Sequence, residues 1–564
     1  MVVPSSGRAR RSTDIFDPPL ERHAASLLED RPRRDALLSY TSYAMVAIGA
    51  ALRLTQYLTN RSLSFDEALL ALNIIQKSPR ALLGELSFDQ AAPLGFLEAE
   101  KLATAIFGRS EYALRLFPLL VSLLSLVAFY WAARKLLNGI AVPLALAAFA
   151  LLEPLIYYSA TAKQYAIDVA VAVLLFGIGA ALRSSRLDTA ALMMLTATGA
   201  VAVWFSHASV FVLAPLGLLL AYQAFRGGDR NRFLQLLLCF ALWVLSLGIE
   251  FALSRSNIVH IREAFLGSRH GVFLGGGSEG PTWFDTVMAR VRYFSGLEET
   301  TSGRALFGPR HVELNQALTL LVLAFATLGF LSLVLRGTRK ALLLTSPAAF
   351  LLLASALGRY PLVGRTLLFL LVPLALAFGE GGHVAISAFR SRRASTAGGA
   401  LVLAALAVIA ILPTLHLAVP RRSEELKPVL NYLERHRLGG DALYVAYNAQ
   451  YAVAYYHLCS CGGFDPERVW PFEVGGRSND TPAMRSGSRN LIVGSTRSAS
   501  GEQGQDLKPF LGRPRVWILV ADLPSWQLDP LLRYADAAGR RLDSFSSKGP
   551  KEIGASIYLY DLER

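Results

Sequence analysis

Long apolar runs recur along this chain of 564 residues, and they leave few folds open. "YAMVAIGAALRLTQYL", "LFPLLVSLLSLVAFYWAA", "ALTLLVLAFATLGFLSLVL" and "ALVLAALAVIAILPTLHLAV" reach or approach the roughly 18–20 residues a helix needs to cross a bilayer. An outer-membrane barrel would show shorter alternating strands instead. The charged fraction is 17%, low against the roughly 25% of soluble domains. These features predict a polytopic α-helical membrane protein. About eleven spans can be drawn, near 40–58, 115–133, 140–158, 165–182, 188–205, 208–225, 233–252, 315–335, 341–357, 366–382 and 399–418.

The connections fall into two sets. One holds Arg31, Arg33 and Arg34, Arg134 and Lys135, Arg183 and Arg186, Arg226, Arg230 and Arg232, Arg336, Arg339 and Lys340, and Arg390, Arg392 and Arg393. Short basic loops mark the cytoplasmic side, so these loops and the N-terminal tail 1–38 are expected there, the tail flexible. Much of the net charge of +14 is absorbed in this way, and nucleic-acid binding is not indicated. The membrane domain then covers 39–419, with long external loops 59–114 and 253–314.

From about 420 the composition becomes that of a soluble domain. "EELKPVLNYLERHRL" and "WQLDPLLRYADAAGR" read as helices, and "ALYVAY", "NLIVGS", "RVWILVADL" and "ASIYLYDL" read as strands. The segment 420–564 is therefore expected to be an extracytoplasmic α/β domain, with 477–512 mostly loop. Its tyrosines Tyr444, Tyr447, Tyr451, Tyr455 and Tyr456 suit core packing better than sugar stacking. Cys459 and Cys461 form C-S-C, not the CxxC of a redox or zinc site. So short a loop argues against pairing them, and neither is given a role.

Ionisable groups at or in a membrane are costly and informative. On the expected external side they converge. In "SLSFDEALLALNIIQ", Asp66 and Glu67 begin an amphipathic helix expected along the interface. Ser64 and Glu67 have capping-box spacing, which gives Glu67 a structural duty but leaves Asp66 without one. Asp89 precedes Gln90 and Pro93, where a second interfacial helix can start; an ordinary turn accounts for it equally well. Lys163, Gln164, Tyr165 and Asp168 occupy "TAKQYAID". Gln164 and Asp168 share a helix face, with a Lys163–Asp168 ion pair as the structural reading. His207 sits in a very short turn. Arg359 and Arg365 lie in a short external loop, against the charge rule, and arginine suits phosphate.

Four segments in order, the acidic pair after span one, "FGRSEYALRLFPLL", "YSATAKQYAIDVA" and "YPLVGRTLLFLLVP", carry a resemblance. They are similar to the bacterial relatives of protein O-mannosyltransferases and of lipid A aminoarabinose transferases, integral-membrane glycosyltransferases of the GT-C fold. The likeness is good over 60–210, moderate around 355–375 and faint elsewhere. It implies a polyprenyl-phosphate sugar donor, an acceptor outside the cytoplasm (glycolipid, polysaccharide or protein), and a place in the bacterial inner membrane. Asp66 matches the family's catalytic acidic residue and Glu67 the second acid of the mannosyltransferase pair. Arg115 matches an arginine after the first loop, and Lys163 and Asp168 match a basic residue and the aspartate that follows it. "QAAPLG" stands where some relatives carry a His-Pro-Pro segment.

The resemblance and the residues agree on a site. Asp66 and Glu67 are the catalytic candidates, with Asp66 as base. Asp89, Lys163, Gln164, Tyr165, Asp168, His207 and Arg365 are the substrate-binding candidates. No cofactor is assigned: Lys163 and Arg365 could substitute for a metal at the departing phosphate, and a divalent metal is equally compatible. One base and no separate nucleophile predict a single displacement with inversion. Two other classes fit some of the same features: a flippase of a lipid-linked sugar and a membrane scaffold. The first is disfavoured by the lack of a sustained repeat, and the second leaves the external charges unexplained.

Overall fold

The computed structural model describes residues 18–182, 187–266, 273, 312–362, 364–391, 424–461, 470–476, 483–494, 502–523, 525–547 and 554–563. Each of the first ten expected spans is helical: α1 (Pro18–Leu58), α5 (Glu111–Leu136), α6 (Ala141–Leu151) with α7 (Glu153–Tyr157), α8 (Tyr165–Ala181), α9 (Thr189–Phe205), α10 (Val210–Arg226), α11 (Arg230–Leu266), α12 (Val312–Arg336), α13 (Thr338–Ala356), and α14 (Leu371–Ser391) with the tight turn Gly364–Leu370 before it. Six are long and apolar enough to cross a membrane, seven counting the bent α6–α7 pair. The eleventh expected span, 399–418, lies outside the described residues, as does most of the loop 253–314. Between the first spans lie α2 (Phe65–Gln76), α3 (Pro79–Leu82) and α4 (Leu94–Phe107).

Two boundaries differ from expectation. Residues 18–38, expected as flexible tail, continue α1. The seventh span does not stop at 252: α11 has 37 residues, about 55 Å at 1.5 Å per residue, well beyond a roughly 30 Å hydrocarbon layer. Its overhang has partners. Asn257 accepts from Leu86 N–H at 2.8 Å and donates to the Gly84 carbonyl at 3.0 Å, and Arg262 donates to the Gly358 carbonyl. The basic connections meet at the opposite end, where Lys340 Nζ donates to the Leu136 carbonyl at 2.6 Å and Arg339 to that of Gly179 at 3.0 Å.

The 58° bend between α6 and α7 has a local cause. Pro154 has no N–H, so the Ala150 carbonyl four residues back loses its helical partner. Arg53, fully buried in α1, donates to it at 3.0 Å, to Gly49 O at 3.0 Å, and to Ser122 Oγ at 2.9 Å. An arginine that looks misplaced within a span thus caps a broken helix. Gly49 allows the approach: a Cβ there would sit 2.9 Å from Ala150 Cβ. Small residues serve the same end between α12 and α14, where a Cβ on Gly329 or Gly381 would strike the opposing backbone.

The C-terminal region carries a five-stranded sheet in the order β4-β1-β5-β7-β6, from β1 (Ala442–Val445), β4 (Leu491–Val493), β5 (Val516–Ala521), β6 (Arg540–Ser546) and β7 (Ala555–Asp561). β4, β1 and β5 are parallel; β7 and β6 close it antiparallel. A small ribbon pairs β2 (Glu473–Val474) with β3 (Met484–Arg485). The stretch expected as loop therefore holds β3 and a helical turn at Glu502–Phe510, besides the expected β4. Tyr444, Ile518 and Val520 face α17 (Ser525–Ala538) and the helical turn. Leu443, Trp517 and Leu519 face α15 (Leu426–His436) and α16 (Gln450–Cys459).

That second face continues without a break into α2 and α4. Helix α2 is accordingly not an interfacial helix: Glu67 through Ile75 are all buried, because α16 lies over it and Tyr451 meets Phe65 and Phe88 edge-on. The tyrosines are core and docking residues. Leu63 N–H donates to Tyr456 Oη at 2.9 Å, and Tyr455 Oη to the Arg109 carbonyl at 2.7 Å. Contrary to expectation, Cys459 and Cys461 are paired as a disulfide, with Cα atoms 5.1 Å apart, within the range a disulfide spans.

Replacing Arg53 with Met keeps the apolar stem but leaves buried carbonyls unpaired. Each such group costs about 1–3 kcal/mol. Thermal melts in detergent should therefore show a clear loss of stability for Arg53→Met and little change for Arg33→Met, which is exposed.

Candidate active site

The turn that starts α2 sets the geometry. Ser64 is the N-cap, in extended conformation, and places Asp66 and Glu67 in the first helical turn. Their side chains point into different surroundings. Glu67 is 0% exposed. Its Oε1 accepts from Arg115 Nε at 3.0 Å and Ala162 N–H at 2.9 Å. Its Oε2 accepts from Arg61 at 2.6 Å, Arg115 at 3.1 Å and Ser64 N–H at 3.1 Å. Burial alone would push this carboxyl up, but the two guanidiniums and these hydrogen bonds outweigh it and hold it well below the usual carboxylate range. A carboxylate so occupied has no lone pair for an acceptor's proton. These contacts give Glu67 a positioning duty at the start of α2 and do not favour the catalytic reading of it.

Asp66, one residue earlier, opens onto a pocket. It is partly exposed and paired with Arg365 from the turn before α14. The pocket is lined by Asp66, Lys163, Tyr165 and Arg365 with Tyr157, Tyr158, Glu424 and Asp522 among others. The Arg365 guanidinium lies 6.0 Å from the Tyr165 ring centre. Lys163 is buried and donates to Gln90 Oε1 at 2.8 Å. Burial pushes its ammonium down to about 7, with the Glu67 charge opposing. The cavity is about 50 Å³, room for a water or two at about 30 Å³ each and not for a sugar. An ion pair stands across it.

The remaining candidates are placed elsewhere. Asp168 is buried one turn into α8 and accepts from Ser206 Oγ at 2.6 Å, so the expected Lys163–Asp168 pair does not form. His207 Nε2 lies 2.8 Å from Glu250 Oε1, which also accepts from Ser254. Gln164 is the N-cap residue of α8, its Oε1 buried without a hydrogen-bond partner. Asp89 occupies a left-handed turn with Phe88, φ 48° and 66°; its neighbour Gln90 holds Lys163. None of these four lines the pocket. Among the described residues, no group of three or more His, Cys, Asp and Glu is arranged to hold a metal ion.

Sequence reasoning missed Arg61, Gln90, Tyr157, Glu424 and Asp522. Arg61 could have been found as a cation directly after span one. Asp522 follows a fully apolar strand, at the end where open α/β sheets bind ligands. Glu424 and Glu425 are adjacent acids at the domain junction. Glu424 accepts from Phe65 N–H at 2.5 Å and Glu425 from Ser62 N–H at 3.3 Å.

Two measurements separate these roles. Glu67→Gln removes the anion between two buried guanidiniums and should cost about 3–5 kcal/mol, read as a lower melting temperature; Asp66→Asn should leave melting nearly unchanged. The affinity of the pocket for a phosphate diester, whose charge is constant, should fall as pH rises through about 7, where Lys163 loses its proton. Lys163→Met should bind more weakly and without that pH dependence between pH 6 and 8.

No protein-family model matches the chain, and no curated protein matches it significantly. Among solved structures it is similar to the oligosaccharyltransferase AglB from Archaeoglobus fulgidus, in complex with an inhibitory peptide and a dolichol-phosphate. That match has 13% identity and a TM-score of 0.48, over 93% of this chain and 74% of that one. It is likewise similar to ArnT from Cupriavidus metallidurans bound to undecaprenyl phosphate, at 11% identity and a TM-score of 0.48, over 92% and 97% of the two chains. At these scores the chemistry of the pocket rests on its own residues. Both of these solved structures, AglB and ArnT, are glycosyltransferases of the GT-C fold.

Proposed function

We propose that this protein is a membrane glycosyltransferase that moves a sugar from a polyprenyl-phosphate donor to a hydroxyl acceptor outside the cytoplasm, with inversion. The observation that carries the reading is the meeting of Asp66 and Arg365, 299 residues apart in sequence, in one pocket with Lys163. A base and phosphate-binding cations side by side are what transfer from a sugar phosphate needs. The sequence resemblance points to two of these residues, Asp66 and Lys163, and includes the segment that carries Arg365.

The chemistry follows from the partners. A donor phosphate competes with Asp66 for Arg365, and the small cavity opens as the ion pair parts. Arg365 and Lys163 then hold the phosphate, and phosphate contact favours the charged form of Lys163. Released from its guanidinium, Asp66 accepts the proton of the acceptor hydroxyl. The acceptor oxygen bonds to the anomeric carbon as that carbon's bond to the phosphate oxygen breaks. The electron pair leaves with the polyprenyl phosphate, whose charge the two cations stabilise. Attack opposite the leaving group inverts the anomeric configuration. Glu67, locked behind Asp66, keeps the helix turn fixed through the exchange. Arg365 and Lys163 supply the positive charge in these steps, and a divalent metal is compatible with the same role.

In this reading the chain sits in a bacterial inner membrane, with its N-terminus cytoplasmic and its C-terminal domain outside. Purified protein supplied with polyprenyl-phosphate sugars and glycolipid, polysaccharide or peptide acceptors should release polyprenyl phosphate and glycosylated product. Asp66→Asn should lower kcat by about 10²–10⁴-fold. Full transfer by that variant removes the assigned base, retained configuration removes the single displacement, and movement of intact donor across liposomes without transfer replaces the reading with a flippase.

A further inference from the structure

Asp522 reaches the pocket from the C-terminal domain and has no part in the transfer chemistry above. It follows the last residue of β5. In the sheet, β1 pairs in parallel with β4 on one side and β5 on the other. The chain runs from β1 to β4 and then back across to β5, so the strand order reverses at β1. Such a reversal opens a crevice at the carboxyl ends of the strands, where ligands of open α/β sheets bind. Asn448, shortly after β1, donates to the Asp522 carbonyl at 2.7 Å and joins the two rims. Asp522 has a φ of 50°, a conformation that aspartate tolerates better than most residues. The same residue lines the pocket with Asp66, Lys163, Tyr165 and Arg365, and its charge reaches Arg365. Asp522 therefore stands both at the carboxyl end of β5 and in the lining of the pocket.

We propose that Asp522 is a substrate-binding residue that accepts hydrogen bonds from hydroxyls of the donor's sugar ring. This rests on the reading of the pocket as a site for a polyprenyl-phosphate sugar. A carboxylate beside a phosphate site repels the phosphate, so phosphate binding alone does not account for it. A sugar attached to that phosphate brings hydroxyl donors to within a ring's width of Arg365. An ionised carboxylate is an acceptor only, and hydroxyl bonds to it belong to the stronger class. The ring concerned is the donor's, because it is bonded to the phosphate that Arg365 holds. The outer domain then selects for a lipid that still carries its sugar and against the spent carrier.

The test compares binding of undecaprenyl phosphate with that of undecaprenyl-phosphate hexoses and pentoses to the full-length protein in detergent. Wild type should prefer at least one sugar-bearing lipid. Asp522→Asn should weaken that lipid about tenfold, a difference of one decade in Kd. It should leave undecaprenyl phosphate equal or tighter, since an anion near Arg365 is gone. Arg365→Ala should weaken both. Melting curves check folding, and if Asp522→Asn does not fold, Asp522→Glu, which moves the carboxylate but keeps its charge, should show the same selective loss. Unchanged affinity of a folded variant for the preferred lipid overturns the role of Asp522 while the polyprenyl-phosphate reading stands. A wild type that binds undecaprenyl phosphate with no preference for any sugar-bearing form overturns it as well. A wild type that binds none of these lipids overturns both.

Discussion

The buried carboxylate of Glu67 between Arg61 and Arg115 is the constraint on which the rest of the site depends. Each of these groups would be expensive alone in an apolar surrounding; together they satisfy one another. The cluster joins the end of α1, the start of α2, the start of α5 and the backbone at Ala162. Arg61 also lies 4.6 Å from the Tyr157 ring centre and donates to Thr161. Buried ion clusters are weak evidence for stability but demand one geometry. Here that geometry turns Asp66 toward the pocket and leaves it partly open.

Around this cluster the C-terminal region acts as a clamp. Glu424 takes the Phe65 N–H, Glu425 the Ser62 N–H, and Lys427 reaches both Asn60 O at 2.6 Å and Glu111 at 2.8 Å. Tyr456 adds a bond to Leu63. The backbone from 60 to 65 is therefore held from both sides. A continuous hydrophobic core beneath it makes the C-terminal region part of the site's foundation, and Asp522 brings one of its carboxylates into the pocket itself.

Charges deeper in the helices serve structure by the same logic. Arg53 pairs with carbonyls freed by Pro154. Glu380 accepts from Ser332 and pairs with Arg336, and Glu250 is shared by His207 and Ser254. An ionisable residue in a span is thus a prompt to look for its partner before assigning chemistry. Asp168 and His207, singled out for function from sequence, have such partners; Asp66 and Arg365 pair with each other at the edge of a cavity.

What the sequence determined by itself is the part set by period and length. Apolar runs must be helices in lipid because every backbone group needs an internal partner. Alternating apolar strands must form a sheet, and Ser64 with Glu67 starts α2 by local geometry. Asp66 and Arg365 stood out as charges without a local reason. The burial of α2 under α16, the overhang of α11 and the C-S-C disulfide were not legible, since each depends on a distant segment or on exact backbone direction. Which of Asp66 and Glu67 faces the pocket was decided only by the tertiary structure: adjacent helical side chains differ by about 100° around the axis, and the position of Arg61 and Arg115 chooses between them. Asp522 belongs to the pocket for the same reason, because only folding brings a strand end some 450 residues downstream onto the first turn of α2.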